Sequence, residues 1–226
     1  MDQMYKFTNN WFDITAEENF KQIIPDLKPK TCLEIGSYEG YSVSYLSHLN
    51  HLNKWCEKVE CFCIDAWDLG PIDKEHMKNV EKSFDSNISK VKEVYGNNLT
   101  VKKLKGLSDI ELSKLLSNGY SNFFDFIYVD GCHHSSQVLF DAILSFKLLK
   151  PGGVIGFDDY LIYDEGYLVK KETSFTKTIE KKYAGYKDPF SSPKIAIDSF
   201  TNIYSNYLNI IPTLNRQLYV QKVGNY

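Results

Sequence analysis

Short apolar runs alternate with amphipathic stretches along most of the chain. The runs are rich in β-branched and aromatic residues and predict five strands, at residues 31–36, 59–65, 99–106, 123–131 and 153–159. Apolar residues at helical spacing follow the first four runs, at residues 40–49, 73–95, 108–117 and 135–150. The last of these helices is expected to end at Pro151 and Gly152. Because the strands are apolar on both faces, we expect a doubly wound α/β fold with a parallel sheet covered by helices.

A further helix is predicted ahead of the first strand. Thr15 and Glu18 form a capping-box pattern, so this helix should run from about residue 15 to residue 24. Pro25 is expected to close it, because proline cannot continue the backbone hydrogen-bond pattern of a helix. The sequence therefore predicts an N-terminal helical extension over residues 1–29.

Composition excludes some function classes without assigning one. The chain has 226 residues, of which 43% are hydrophobic, and this suits a single domain over residues 1–226. A net charge of −3 gives no general reason to bind nucleic acid or an anionic membrane surface. Arg216 is the only arginine among 26 basic residues, so a bidentate arginine site for phosphate or carboxylate is almost excluded.

Two other features predict the compartment and the kind of partner. The sequence does not open on a basic segment followed by an apolar run, and it contains no stretch of about 18 apolar residues. Its five cysteines are odd in number and irregularly spaced, which suits a reducing compartment. We therefore expect a cytoplasmic protein that acts on a small molecule and binds neither nucleic acid nor membrane.

A glycine-containing loop follows the first strand, where a parallel sheet binds its ligand. Gly36 and Gly40 allow the backbone to turn sharply and to approach a ligand, although a tight turn without a ligand is an alternative. Asp65 ends the second strand, 29 residues after Gly36, and its carboxylate can accept both hydroxyls of a ribose. Nicotinamide-binding folds usually place this acid about 20 residues on and use a Gly-x-Gly-x-x-Gly turn. The Gly-x-x-x-Gly turn therefore weakens a dehydrogenase interpretation.

Acidic residues end the fourth and fifth strands. Asp130, Asp158 and Asp159 would repel one another unless a cation lay among them, and oxygen ligands favour Mg²⁺, with Mn²⁺ or Ca²⁺ as substitutes. The alternative is that one of the pair only caps the following turn. His133 and His134 come just after Asp130, so one of them is a candidate general base; the other interpretation is a surface histidine that caps the next helix.

These motifs, in this order, resemble those of class I S-adenosylmethionine-dependent methyltransferases. The loop Glu-x-Gly-x-Tyr-x-Gly-Tyr-Ser at 34–42 resembles motif I of the catechol O-methyltransferase-like group. The tail resembles the last helix and closing hairpin of small sugar and natural-product O-methyltransferases, at residues 193–204, 208–212 and 216–223. The resemblance spans residues 30–222 and implies a Rossmann-like, seven-stranded, mostly parallel sheet with helices on both faces and a C-terminal antiparallel β-hairpin.

The resemblance also implies roles for individual residues. Glu34 and the backbone of Gly36 would hold the methionine amino group, and Asp65 would hold the ribose. The remaining residues implied to contact the donor are Tyr38, Gly40, Ser42, Ala66, Trp67, Ser108, Asp109 and Asp130. Cys132 stands where the catechol enzyme has a tryptophan against the adenine, so Trp67 is expected to stack on the base instead. The resemblance further implies metal ligands at Asp130, Asp158 and Asp159, and it places His133 at the position of the catalytic lysine.

The predicted function is therefore metal-assisted O-methylation of a small polyhydroxylated acceptor, a sugar or a natural product, with Asp130 and His133 as catalytic residues. Three alternatives stay open. The first is a metal-independent methyltransferase that acts on another nucleophile, and the second is a nicotinamide-dependent dehydrogenase. The third is a catalytically silent binding module that keeps the fold.

The segment over residues 160–193 is rich in Tyr, Lys and Phe and follows the acidic pair directly. It is expected to form a substrate lid with a short helix near residues 174–183. Expected pocket walls are Tyr160, Tyr163, Tyr167 and Tyr186. The alternative is a surface excursion used for packing in a homodimer.

Overall fold

A central sheet organises the computed structural model, which describes residues 5–68, 74–162 and 192–225. Its strands are β1 Thr31–Ile35, β2 Val59–Asp65, β3 Leu99–Lys105, β4 Phe124–Val129, β5 Leu149–Phe157, β6 Leu208–Ile211 and β7 Leu218–Lys222. They follow the spatial order β3-β2-β1-β4-β5-β7-β6. Strands β1 to β5 pair in parallel, whereas β7 runs antiparallel to both β5 and β6. The predicted fold class, including the C-terminal hairpin, is confirmed.

Helices cover both faces of this sheet. They are α1 Trp11–Thr15, α2 Glu17–Leu27, α3 Tyr41–Asn53, α4 Lys74–Tyr95, α5 Ser108–Ser117, α6 Ser135–Leu148 and α7 Pro193–Ile203. Helices α1 to α4 pack with Cys32 and Phe126 in one core, while α5 to α7 pack with Leu33 and Ile127 in a second. Successive strand residues thus enter opposite cores, which is why the strands are apolar at nearly every position. No helix in this described part has the length and apolar composition needed to cross a membrane.

The parallel register brings the carboxyl ends of four strands to one edge of the sheet. Ile35 at the end of β1 pairs with Ile64 of β2 and with Val129 of β4. Val129 in turn pairs with Phe157 at the end of β5. The residues that directly follow these positions are Gly36, Asp65, Asp130 and Asp158. The chemistry-bearing residues predicted from the sequence therefore lie along a single edge.

The predicted N-terminal capping box is wrong. Thr15 ends α1, and Ala16 is the residue that precedes α2, so the helical region is divided there. The Thr15 hydroxyl donates to the carbonyl oxygen of Trp11 at 2.8 Å, which is a bond within α1 and not a cap of α2. Pro25 also does not close the helix, because α2 continues to Leu27. A proline near the end of a helix removes only one backbone donor, and α2 tolerates that loss.

The boundary between α6 and β5 also differs from the prediction. Helix α6 ends at Leu148, and β5 begins at the next residue, Leu149, whose backbone is already extended with φ −77° and ψ 136°. Pro151 and Gly152 therefore lie inside β5 and do not terminate the helix. The pairing of β4 with β5 shifts register between Phe124 and Phe126, beside this segment, so the ladder is irregular where the proline lies.

The segment predicted to be a lid lies largely outside the described residues. This applies to the helix expected near residues 174–183 and to Tyr163, Tyr167 and Tyr186. Tyr160 is described, and its hydroxyl donates to Asp198 Oδ1 in α7 at 2.8 Å.

A buried lysine in the last strand, β7, bonds to residues near the start of β4 and at the junction of α6 and β5. Lys222 of β7 is 1% exposed, and its Nζ donates to the carbonyl oxygens of Phe146 and Leu149 at 2.8 and 2.7 Å. A third bond of 2.9 Å reaches Asn122 Oδ1. Burial lowers the pKa of Lys222 to about 8, but the three acceptors match the three hydrogens of the ammonium group. This interaction holds β7 in the sheet.

Lys222→Met should lower the free energy of unfolding by about 3 kcal/mol, because it leaves three buried oxygens without a donor and each costs about 1 kcal/mol or more. Urea denaturation followed by circular dichroism measures the change. Lys90→Met is the matched control, since Lys90 only pairs with Glu93 at the surface. The control should change the free energy by less than about 0.5 kcal/mol. Equal losses in the two variants would contradict the role given to Lys222.

Candidate active site

The glycine loop after β1 packs directly against the end of β4. Gly36 adopts a φ of +88°, and its amide donates to the carbonyl oxygen of Ile64 at 2.8 Å. A Cβ at this position would lie 2.0 Å from the carbonyl oxygen of Asp130, a distance that no side chain tolerates. Gly40 has a φ of +78° and precedes the first residue of α3. Both glycines are therefore required by the backbone, as the sequence predicted.

Glu34 points into this edge from inside the sheet. It is buried in β1, and one of its carboxylate oxygens accepts a hydrogen bond from the Ser42 hydroxyl. Its other oxygen, Oε2, is buried and has no hydrogen-bond partner within the described part of the chain. Burial raises the pKa of Glu34 to about 7. A buried carboxylate oxygen without a donor fits a cationic ligand group such as an amino group.

Asp65 is held in a fixed orientation at the end of β2. Its Oδ2 accepts from the backbone amide of Tyr38 at 2.8 Å, and its Oδ1 accepts from the amide of Trp67 at 2.7 Å. Burial raises the pKa of this carboxyl group, and the two amides counteract that effect. Each oxygen keeps a second lone pair, so the carboxylate can still accept bonds from two ribose hydroxyls. Ala66 is half-buried beside it.

The prediction that Trp67 stacks on adenine is wrong for this structure. The Trp67 side chain is 2% exposed, and its Nε1 donates to the carbonyl oxygen of Tyr38 at 2.9 Å. The ring packs against Phe84 of α4 with a centroid separation of 4.9 Å, and Lys103 Nζ lies 4.7 Å from the ring centroid. Among the described residues, the indole therefore lies in the core beneath the glycine loop.

The segment expected at the adenine edge begins α5. Asp109 accepts a bond from the amide of Ile110, and Ser108 is linked to α6 through Gln137. The Gln137 side-chain amide lies 3.0 Å from the Ser108 hydroxyl oxygen and 3.1 Å from Asp141 Oδ1. Asp141 is fully buried, and burial raises its pKa to about 6. Sequence reasoning missed Gln137, although its spacing of four from Asp141 on one helix face was a signal.

Three side chains with metal-ligand chemistry converge at the ends of β4 and β5. Asp130, His133 and Asp159 each offer a donor atom, and these atoms lie within 4.8 Å of one another. Asp159 Oδ2 is 2.5 Å from His133 Nε2. His134, by contrast, is exposed and its Nδ1 lies 2.9 Å from the Ser136 hydroxyl. Of the two candidate histidines, His133 is therefore the one beside the carboxylates.

Asp158 is not brought into this group. Its Oδ1 accepts from the Tyr128 hydroxyl at 2.6 Å and from the Gln217 side-chain amide. Its Oδ2 accepts from Arg216 at 3.5 Å. Asp158 is thus hydrogen-bonded by protein donors, whereas Asp130, His133 and Asp159 present the converging donor atoms. Two carboxylates and an imidazole remain a donor set that can hold a divalent ion.

An arginine and a titratable histidine lie among the carboxylates. Arg216 Nη2 is 2.9 Å from Asp159 Oδ1, and its side chain is 6% exposed. Burial alone would lower the pKa of His133, but the neighbouring Asp159 outweighs it and holds that pKa above its usual value. Burial would likewise raise the pKa of Asp159, yet His133 and Arg216 lower it to about 2. The sequence prediction balanced these acids with an added ion and did not include Arg216. This arginine lies 57 residues after Asp159 in the chain.

Asp130 differs from Asp159 in its electrostatic environment. Burial, followed by the charges of Asp158 and Asp159, raises the pKa of Asp130 well above its usual value. Of the groups that shift this pKa, Arg216 is the one that lowers it. A further positive charge beside Asp130 would favour its carboxylate form, which supports a cation-binding role for the group.

Comparison with known proteins yields one family and a consistent fold. The family described as "Methyltransferase domain" matches residues 33–160. "Probable caffeoyl-CoA O-methyltransferase 3" of Dictyostelium discoideum is 27% identical over 161 residues, which cover 70% of this chain and 55% of that protein. "Uncharacterized protein R132" of Acanthamoeba polyphaga mimivirus is 29% identical over 133 residues, covering 59% of this chain and 52% of that protein. The chain thus spans about half the length of the curated relatives it matches.

Solved structures match over most of the chain. The O-methyltransferase from Bacillus cereus in complex with SAH has a TM-score of 0.58 at 18% identity, covering 91% of this chain and 80% of that one. At this identity the likeness shows the fold alone, and that fold agrees with the resemblance predicted from the sequence.

Gly36→Ala should destabilise the protein by about 3 kcal/mol or more, because the new methyl group collides with backbone and not with a movable side chain. Gly96→Ala is the matched control, since Gly96 has a φ of +68° but nothing within 4 Å of its Cβ position. The control isolates the strain of a left-handed alanine, about 1 kcal/mol. Chemical denaturation of both variants checks the prediction, and equal losses would contradict the close contact with Asp130.

Proposed function

The chain belongs to the methyltransferase domain family that matches residues 33–160, and from that premise we propose that it transfers the methyl group of S-adenosylmethionine to a hydroxyl oxygen. The acceptor proposed is a small polyhydroxylated molecule, a sugar or natural product. One observation carries the proposal. The glycine loop, the unpartnered Glu34 oxygen and the fixed Asp65 carboxylate adjoin a group of acids and a histidine on the same edge of the sheet.

The donor is proposed to lie across the carboxyl ends of β1, β2 and β4. Glu34 would accept the methionine ammonium through its unpartnered Oε2. Asp65 would accept the ribose hydroxyls, and Ser108 would meet the adenine edge with its hydroxyl oriented by Gln137. The other residues proposed to line this site are Gly36, Tyr38, Gly40, Ser42, Ala66, Asp109 and Asp130. These groups align a methyl that the sulfonium already activates, so the protein mainly positions the reactants.

His133 and Asp159 are proposed to handle the acceptor proton. Neutral His133 would direct Nε2–H at Asp159 Oδ2, which lies 2.5 Å away, and would take the hydroxyl proton at Nδ1. The acceptor oxygen then attacks the methyl carbon as the carbon–sulfur bond breaks, and the sulfonium leaves as a neutral thioether. Asp159 would stabilise the resulting imidazolium, as a carboxylate does beside a catalytic histidine.

A divalent ion fits the same edge. Asp130, His133 and Asp159 are the residues proposed to hold it, and when bound it would supply positive charge that lowers the pKa of a coordinated hydroxyl. Because one donor is an imidazole, the set suits Mn²⁺ or a later first-row ion as well as Mg²⁺. His133 cannot be ligand and base at once, so a metal-independent reaction is the second candidate, favoured by the contact between His133 and Asp159.

Methyl transfer from labelled S-adenosylmethionine to a panel of sugars and catechols, with and without EDTA, tests the proposal. Labelled product supports it, and loss of turnover in EDTA assigns the ion a role. Activity that EDTA leaves unchanged selects the metal-independent candidate. Binding of a nicotinamide dinucleotide in place of S-adenosylhomocysteine would contradict methyl transfer altogether.

Asp130→Asn should lower turnover by about 100-fold or more while S-adenosylhomocysteine binds with nearly unchanged affinity, because Asp130 only lines the donor site, whereas its carboxylate is proposed to act in the chemistry at the acceptor. Asp65→Ala should do the reverse and weaken cofactor binding. Asp26→Asn, an exposed change in α2, is the matched control and should alter neither measurement. Initial rates and calorimetric titration supply the two values. Unchanged turnover in Asp130→Asn would remove this residue from the proposed chemistry.

Cofactor binding should also depend on pH through Glu34. Its pKa of about 7 means that the free protein holds Glu34 protonated below that pH, whereas a bound ammonium favours the carboxylate. Affinity for S-adenosylhomocysteine is therefore expected to fall by about tenfold from pH 8 to pH 6. Calorimetric titration at both pH values measures this fall. Glu34→Gln should bind more weakly and lose the dependence; a dependence that persists in this variant would contradict the role of Glu34.

A further inference from the structure

We propose that Arg216 is a built-in cation of the acidic group and that it competes with a divalent ion for Asp159. Arg216 would then set how tightly the group of Asp130, His133 and Asp159 binds metal. The inference rests on the proposed function in so far as that function assigns an ion to this group. Its test, however, measures metal binding without substrate or turnover.

The position of Arg216 is fixed by its backbone neighbours. It lies just ahead of β7, and its carbonyl oxygen accepts a hydrogen bond from the amide of Leu161 at 3.0 Å. The next residue, Gln217, is 3% exposed and donates to both Tyr128 and Asp158. The C-terminal hairpin thus places the side chains of Arg216 and Gln217 against the acids that follow β5. This arrangement fixes the backbone from which the Arg216 side chain reaches Asp159.

Both oxygens of Asp159 lie against basic side chains. Arg216 Nη2 lies 2.9 Å from Oδ1, and His133 Nε2 lies 2.5 Å from Oδ2. A metal ion that binds Asp159 must therefore share or displace one of these contacts. His133 can become a neutral ligand by losing a proton, but a guanidinium does not deprotonate in proteins. The charge of Arg216 consequently persists beside any bound ion.

Charge and burial make this competition strong. The Arg216 and Asp159 side chains are 6% and 7% exposed, so solvent screens the repulsion between the guanidinium and an incoming ion only weakly. Arg216 also lies 3.5 Å from Asp158 Oδ2, so its charge is shared between two carboxylates. Lysine supplies every other basic residue of the chain, whereas at this position a guanidinium nitrogen, Nη2, lies between the two carboxylates.

The test is Mn²⁺ binding to the full chain, measured by electron paramagnetic resonance of free Mn²⁺, for wild type, Arg216→Gln and Arg216→Lys. Arg216→Gln should lower the Mn²⁺ Kd by about tenfold, because one buried positive charge is removed. Arg216→Lys keeps a positive charge on a shorter side chain that differs in shape, and should fall between the two. Lys150→Gln is the control; it breaks a more exposed 2.6 Å ion pair with Asp125 at the opposite end of the strands and should bind Mn²⁺ like wild type.

Thermal unfolding provides a second readout that a merely structural role would not produce. Mn²⁺ should raise the Tm of Arg216→Gln more than that of wild type, since a tighter ligand stabilises the folded state further. Mn²⁺ affinity that is unchanged or weaker in Arg216→Gln overturns the inference. If this variant does not fold, an affinity in Arg216→Lys no higher than wild type overturns it equally.

Failure of this inference is distinct from failure of the proposed function. Calorimetric binding of S-adenosylhomocysteine to the same variants reports on the donor site alone and should stay within about twofold of wild type. If the donor binds but neither wild type nor Arg216→Gln takes up Mn²⁺, the competition is refuted while methyl transfer stands. If the donor does not bind to wild type, the proposed function itself is refuted.

Discussion

The contact between Gly36 and the carbonyl oxygen of Asp130 is the constraint on which the site depends. It is possible only because β1 and β4 are parallel neighbours whose last residues, Ile35 and Val129, are paired, so that both strands end side by side. The missing side chain lets the two loops meet, and their meeting places Glu34 and Asp65 on one side of the contact and His133 on the other. Donor and acceptor chemistry can thus adjoin each other on a single rigid sheet edge.

Much of this arrangement could be predicted from the sequence because the relevant signals are local. Strands with both faces buried are continuous apolar runs, and the acids and glycines at their ends follow the runs directly. The helix boundaries at Thr15 and Leu148 were mispredicted, since a buried hydroxyl and an early strand start override the capping and proline signals. Tertiary context decided those positions.

The polar details of the site depend on contacts between residues distant in sequence, and these were missed. Trp67 follows Asp65 as an adenine platform would, but Phe84 and Lys103 enclose its ring. Asp158 has the expected position in the chain, yet Gln217, 59 residues later, binds it. No pattern in the sequence relates an isolated arginine after the sixth strand to carboxylates after the fifth, because the pairing is made only when the hairpin adds β7 beside β5.

The insertion of β7 between β5 and β6 has a consequence for the timing of biosynthesis. Strands β1 to β5 are contiguous in synthesis and can pair as they emerge, but the acids at the end of β5 stay without Arg216 and Gln217 until the hairpin is made. Between those two moments a nascent chain carries several poorly compensated carboxylates at an open sheet edge. Folding of residues 216–222 against β5 therefore completes the charge balance of the acidic group, and Lys222 stabilises the strand that carries these residues.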